Sequence, residues 1–199
     1  LGTVYSLDEL RALGEWAHSE DLLLHVDGAR YCNAAATLDV GLGELAAAAG
    51  VDVLSFGATK NGAMGAEAVV VLRPGLADAL PFIRKQSMQL ASKMRFVSAQ
   101  FVALLEGDLW LRNARHANAM AQRLAAGVAG VPGVEVSYDV QANAVFAVLD
   151  RAHIDALQSR HTFYVWDEAA DQVRWMTSWS TTEADVDAFV ADIRATTSA

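Results

Sequence analysis

Four side chains in this sequence could do chemistry together. Asp27 closes an apolar run and opens the turn of His25-Val26-Asp27-Gly28-Ala29-Arg30. Lys60 stands in Ser55-Phe56-Gly57-Ala58-Thr59-Lys60-Asn61-Gly62, a stretch punctuated by glycine. Ligands of open parallel sheets bind outside the carboxyl ends of the strands, so a carboxylate at such an end is poised to meet a cationic ring nitrogen. Taken alone, Asp27 is as readily the start of a turn with Gly28, and a lysine in a glycine-rich loop is usually only solvated. The GxxxxGK[ST] form of a phosphate-cradling loop is absent around Lys60. The pair is more informative than either member. If the two strands are near neighbours, an amine and a carboxylate reach one crevice. That is what pyridoxal phosphate requires: a lysine to hold it covalently and an acid to keep its ring nitrogen protonated.

Two arginines extend the set. Arg30 lies three residues past Asp27 and could turn back toward the same crevice. Arg174 sits in Val173-Arg174-Trp175-Met176-Thr177-Ser178, among apolar neighbours. If buried it needs a partner, and a two-pronged grip on an amino-acid carboxylate would supply one. The plainer reading of Arg174 is a strand residue facing solvent.

The order of elements decides whether these groups can meet. Ser6-Leu7-Asp8-Glu9 has the form of a capping box, and Leu10, Leu13, Trp16 and Ala17 follow at helical spacing, predicting a helix to about His18. Residues 22–26 read as a buried strand, 42–49 as a short helix stopped by Gly50, 51–56 as a second strand and 66–72 as a third. The first two strands are far enough apart for a helical crossover and can run parallel. The loop from Gly57 to Gly65 is too short for that, so the third strand returns antiparallel. Residues 77–128 read as helical, with a long helix over 108–126. Beyond Val131-Pro132-Gly133, strands are predicted at 134–137, 144–149 and 173–178 and a helix at 154–159. Thr182 caps a last helix carrying Val186, Phe189, Val190 and Ile193 on one face. The expected fold class is α/β.

Bulk properties exclude more than they assert. With 53% hydrophobic residues, 20% charged and 3 prolines, the chain is long and apolar enough to bury a core and is not a disordered segment. A net charge of −9 argues against nucleic acid as a partner. Cys32 is the single cysteine, which excludes a disulfide framework and fits a reducing cytoplasmic setting. No apolar run approaches membrane-spanning length. No metal-ligand set stands out. Leu1-Gly2-Thr3-Val4-Tyr5 reads like the middle of a protein, so residues before Leu1 are expected.

The motif around Asp27, the stretch from Gly50-Val51-Asp52 through Lys60-Asn61-Gly62, and Gly65-Ala66-Glu67-Ala68 strongly resemble low-specificity L-threonine aldolases. The likeness continues through Ser92-Lys93-Met94-Arg95-Phe96, Asp108-Leu109-Trp110, Val173-Arg174 and Thr182-Glu183, covering nearly the whole chain. The branch that also cleaves phenylserine is similar. The resemblance implies an aspartate-aminotransferase-like fold, with residues 1–127 belonging to the large cofactor-binding domain and 128–199 forming a small carboxyl-terminal α/β domain. It implies that Lys60 holds pyridoxal 5'-phosphate and that Asp27 pairs with the ring nitrogen. It implies that Arg30 and Arg174 take the substrate carboxylate, with Arg30 also close to the cofactor, and that Thr59 touches the cofactor phosphate. It places Arg95, and Lys85 less firmly, near the cofactor of a neighbouring subunit, though the pattern here departs from the glycine-rich version of other branches. Homotetramers with sites at a dimer interface are implied as well. The family's amino-terminal region supplies a Ser-Gly-Thr phosphate cradle and a ring-stacking histidine; neither is found here, and His116 reads as packing or surface.

The activity implied is cleavage of the Cα–Cβ bond of a β-hydroxy-α-amino acid, giving glycine and an aldehyde: acetaldehyde from threonine, benzaldehyde from phenylserine. Two rivals accompany it. One is another reaction of the same cofactor, β-elimination or transamination. The other is a non-catalytic fragment that acts only in assembly.

Overall fold

The structure is a computed structural model describing residues 1–198. It divides into two compact units, residues 5–112 and residues 1–4 with 113–199.

In the first unit, helix α1 (Leu7–Ser19) starts as expected: the Ser6 hydroxyl accepts from the Glu9 amide and the Glu9 carboxylate accepts from the Ser6 amide. Strand β1 (His25–Gly28) leads into α2 (Tyr31–Leu38) and α3 (Leu42–Ala49), and then β2 (Val53–Gly57). A single 3-10 turn, Thr59–Asn61, precedes β3 (Glu67–Val71). The sheet order is β1-β2-β3, with β1 parallel and β3 antiparallel to β2. Both directions follow from connection length, as expected. Leu54 and Phe56 are buried, and Phe56 meets Tyr31 of α2 edge-on, with ring centroids 6.3 Å apart. Helices α1 and α3 approach so closely that a Cβ on Gly14 would stand 2.2 Å from the Ala49 carbonyl oxygen. Only glycine fits that crossing.

Three expectations need correction. The first strand starts at His25, not residue 22: Leu22 and Leu23 are half exposed. Asp27 therefore lies inside the strand's last turn of pleat. The chain from Tyr31 to Leu38 is helical, although no apolar stripe announced it. The helical stretch 77–128 is broken into α4 (Leu80–Gln86), α5 (Met94–Leu105), a 3-10 turn Glu106–Asp108 and α6 (Leu109–Val128). The breaks carry left-handed backbone at Met88, Gly107 and Asp108, which no α-helix can absorb.

The second unit holds β4 (Glu135–Val136), β5 (Ala144–Val148), α7 (Arg151–Gln158), β6 (Tyr164–Asp167), β7 (Gln172–Met176) and α8 (Glu183–Thr197). Its antiparallel sheet runs β4-β5-β7-β6. Val145, Ala147, Val173 and Trp175 pack on one face against Ile154, Leu157, Val186, Val190 and Ile193. The strand β6 was not foreseen; it is an edge strand with three of its four residues exposed. No helix among the described residues is long and apolar enough to cross a membrane.

Candidate active site

The carboxyl ends of β1 and β2 lie side by side. Asp27 is in register with Ser55 and Gly28 with Phe56, and hydrogen-bonded strands run about 4.8 Å apart. Past that register the backbones close further. A Cβ on Gly57 would lie 3.0 Å from the Ala29 Cα and 2.9 Å from the Glu67 carboxylate, and one on Gly28 would lie 2.6 Å from the Ser55 carbonyl oxygen. The two glycines let the turn after Asp27 pack directly on the strand end that leads to Lys60.

Asp27 is exposed, and its Oδ1 accepts the Ala29 amide at 3.0 Å. The plain turn role is thus real, and it holds the carboxylate in place. Arg30 follows at the N-cap of α2, half-buried, with its carbonyl accepting the Ala34 amide. Lys60 is exposed in the 3-10 turn and makes no ion pair among the described residues.

That turn is pinned on both sides. The Thr59 hydroxyl accepts the Ala66 amide at 3.1 Å. Asn61, 3% exposed, donates its side-chain amide to the Trp110 carbonyl at 3.0 Å. The Gln100 side chain of α5 accepts from the Met64 amide at 2.9 Å. Lys60 therefore rides on a turn fixed by its neighbours while its own side chain stays uncommitted. Cys32 is buried nearby in α2, and burial pushes its thiol up to about 11, which makes it inert rather than nucleophilic.

Asp27, Arg30, Thr59 and Lys60 all belong to this strand-end region. Arg95 does not join them by any contact: it is exposed at the start of α5, with its guanidinium over the Phe96 ring at 4.8 Å. Arg174 lies in the second unit, on β7, paired across the sheet with Phe146 and Tyr164. Its Nε is buried without a hydrogen-bond partner among the described residues. His116 is exposed and bonds the Thr181 carbonyl, a surface contact. The residues overlooked in the sequence are the anchors Asn61 and Gln100 and the aromatic pair Tyr164 and Trp166. The aromatic pair had a signal in its two-residue spacing on one strand face; the anchors had none.

Comparison with known proteins gives the class. The model of the β-eliminating lyase family matches residues 1–152, and the chain belongs to that family. Over all 199 residues it is 45% identical to a low specificity L-threonine aldolase of a Pseudomonas species, covering 58% of that protein. It is 44% identical to the protein of the same name from Pseudomonas aeruginosa over 194 residues, covering 56% of it. The chain thus spans under three fifths of the length of these relatives. A solved threonine aldolase of Leishmania major superimposes on 97% of the chain with a TM-score of 0.89 at 28% identity, using 57% of its own length. The fold is the α/β architecture shared by threonine aldolases and related pyridoxal-phosphate enzymes, as expected.

Proposed function

We propose that this chain is part of a pyridoxal-phosphate-dependent aldehyde-lyase that splits a β-hydroxy-α-amino acid, such as threonine, allo-threonine or phenylserine, into glycine and an aldehyde. The observation that carries the reading is the parallel pairing of β1 with β2, which sets the strand ends bearing Asp27 and Lys60 next to each other. The donor set suits the cofactor: a carboxylate fixed by a turn, and an uncommitted amine on a pinned loop. Lys60 would hold the cofactor covalently and Asp27 would face its ring nitrogen. Bound there, pyridoxal phosphate supplies an electron-accepting ring conjugated to the substrate α-carbon.

The chain's own groups do the rest. Arg30 and Arg174 are the cations proposed for the substrate carboxylate. Gripping it restricts rotation about the α-carbon and holds the bond to be broken in the reactive orientation. Asp27, held by the Ala29 amide, would keep positive charge on the ring nitrogen from a preoriented carboxylate. Thr59 would add a hydroxyl for the cofactor phosphate while closing its loop, and Arg95 would serve a neighbouring subunit's site. The self-association this requires, a homotetramer by family resemblance, is supported by apolar side chains left open to solvent: Phe82 is 72% exposed and Phe96 63%. A cytoplasmic location is supported by the lone buried thiol.

The test is Lys60→Ala in the full-length protein. The expected result is loss of the cofactor's near-visible absorbance band and of glycine release from threonine; retention of both removes Lys60 from the role. Release of ammonia and a keto acid without glycine would instead support β-elimination, the reaction after which the family is named.

A further inference from the structure

Arginines in the second unit are almost all spoken for. Arg123 meets Asp187 at 2.8 Å, Arg151 meets Glu168 at 2.7 Å and Arg160 meets Asp192 at 2.8 Å. Arg174 pairs with no carboxylate among the described residues, and its Nε is sealed from solvent without a partner. What surrounds it is aromatic. Its guanidinium carbon stands 4.8 Å from the centroid of the Trp166 ring and 5.6 Å from that of Tyr164, both within the range of cation–π attraction.

The sheet builds this setting. Phe146, Arg174 and Tyr164 are cross-strand partners on β5, β7 and β6, so they share one face, opposite the packed core. The β6–β7 register shifts between Val165 and Asp167, so the irregularity falls on Trp166. Bulges re-aim the side chains they carry. Here the indole also meets Phe146 edge-on, with centroids 5.4 Å apart, and Tyr138 braces Phe146 in turn at 5.9 Å. Trp166 is therefore held from behind and is still 49% exposed; Tyr164 is 69% exposed.

Flat rings fix a guanidinium without using its hydrogen-bond donors. A carboxylate partner from the protein would hold it as firmly but would compete with an incoming ligand. We propose that Trp166, assisted by Tyr164, is a positioning residue: it holds the Arg174 guanidinium with its terminal N–H groups free to grip the carboxylate of an amino-acid substrate. The inference rests on the carboxylate role proposed for Arg174.

The experiment titrates the full-length, cofactor-loaded enzyme with glycine and, separately, with methylamine, an amine that lacks a carboxylate, following the cofactor's absorbance. Trp166→Leu is expected to raise the glycine Kd by about five- to tenfold, the scale of a partly desolvated cation–π contact, and to leave the methylamine Kd unchanged. Trp166→Phe restores most of the loss. Tyr164→Leu gives a smaller effect, because its ring lies farther away. In an Arg174→Leu background the Trp166 substitution has no further effect. Arg174→Leu separates the two ideas. If it leaves glycine binding intact, the carboxylate reading itself fails. If it weakens glycine while Trp166→Leu does not, only the positioning role falls. Equal weakening of glycine and methylamine, or an undiminished Trp166 effect without Arg174, also overturns that role.

Discussion

One pair of strands carries two aspartates with opposite fates. Asp52 lies just before β2, at the end of the sheet remote from Lys60, with its side chain 6% exposed. Its carboxylate accepts from the Leu24 amide at 2.7 Å, from His18 at 2.9 Å and from Arg73 at 3.4 Å. Burial by itself would raise its pKa, but the hydrogen bonds from Leu24, His18 and Arg73 outweigh it and hold the group below the usual carboxylate range. Asp27, at the other end, is exposed and takes one backbone amide at 3.0 Å. The first carboxylate ties α1, β1 and β3 to the start of β2 and has nothing left to offer. The second is oriented and still available. The first carboxylate belongs to the frame, and the second is the one proposed for the site.

Substituting each in turn should split activity from stability. Asp27→Asn is expected to give the largest effect, a fall of roughly 10²–10³ in kcat/KM of the full-length enzyme, the scale of removing a preorganised charge from an active site, with the melting temperature nearly unmoved. Asp52→Ala should do the reverse. It leaves His18 and Arg73 without their shared anion and should cost about 3 kcal/mol in denaturant unfolding, with kcat/KM of the still-folded protein little changed.

The same contrast has a pH signature. Because the folded-state pKa of Asp52 is depressed, its contribution is fully present above the unfolded value of about 3.9 and is lost as pH falls through the lower folded value. Thermal melts below about pH 4 should show a steeper loss in the native protein than in Asp52→Asn. A parallel decline in both would take Asp52 out of the frame. The smallest of these effects is expected at the contact between the two strand ends. Gly57→Ala forces a methyl against Ala29 and Glu67 and should cost about 1–3 kcal/mol, reducing cofactor affinity as the Asp27 turn is pushed off β2. A silent Gly57→Ala would mean that the close approach plays no part in the site.

Much of this is legible in the sequence. The parallel and antiparallel joints follow from connection lengths, and the caps at Ser6 and Thr182 follow from hydroxyl-to-acid spacing. Helix α2 was not legible, because Tyr31, Cys32, Asn33 and Ala35 are all buried and a helix buried across its width shows no stripe. The edge strand β6 was missed because its aromatic residues face solvent and Arg174 rather than the core. Within the proposed site, Asp27 and Lys60 stand out in the sequence by their position at strand ends. Asn61 and Gln100 did not, since their partners are backbone groups 49 and 36 residues away, a separation that no local pattern records.

The chain contains three lysines, Lys60, Lys85 and Lys93, so the central claim can be read out chemically. Borohydride reduction of the full-length holoenzyme, followed by peptide mass mapping, fixes the cofactor to whichever amine holds it. The cofactor's mass should appear on the peptide containing Lys60, and Asp27→Asn should leave it there. A cofactor mass on Lys85, Lys93 or any other lysine, with Lys60 unmodified, would contradict the assignment.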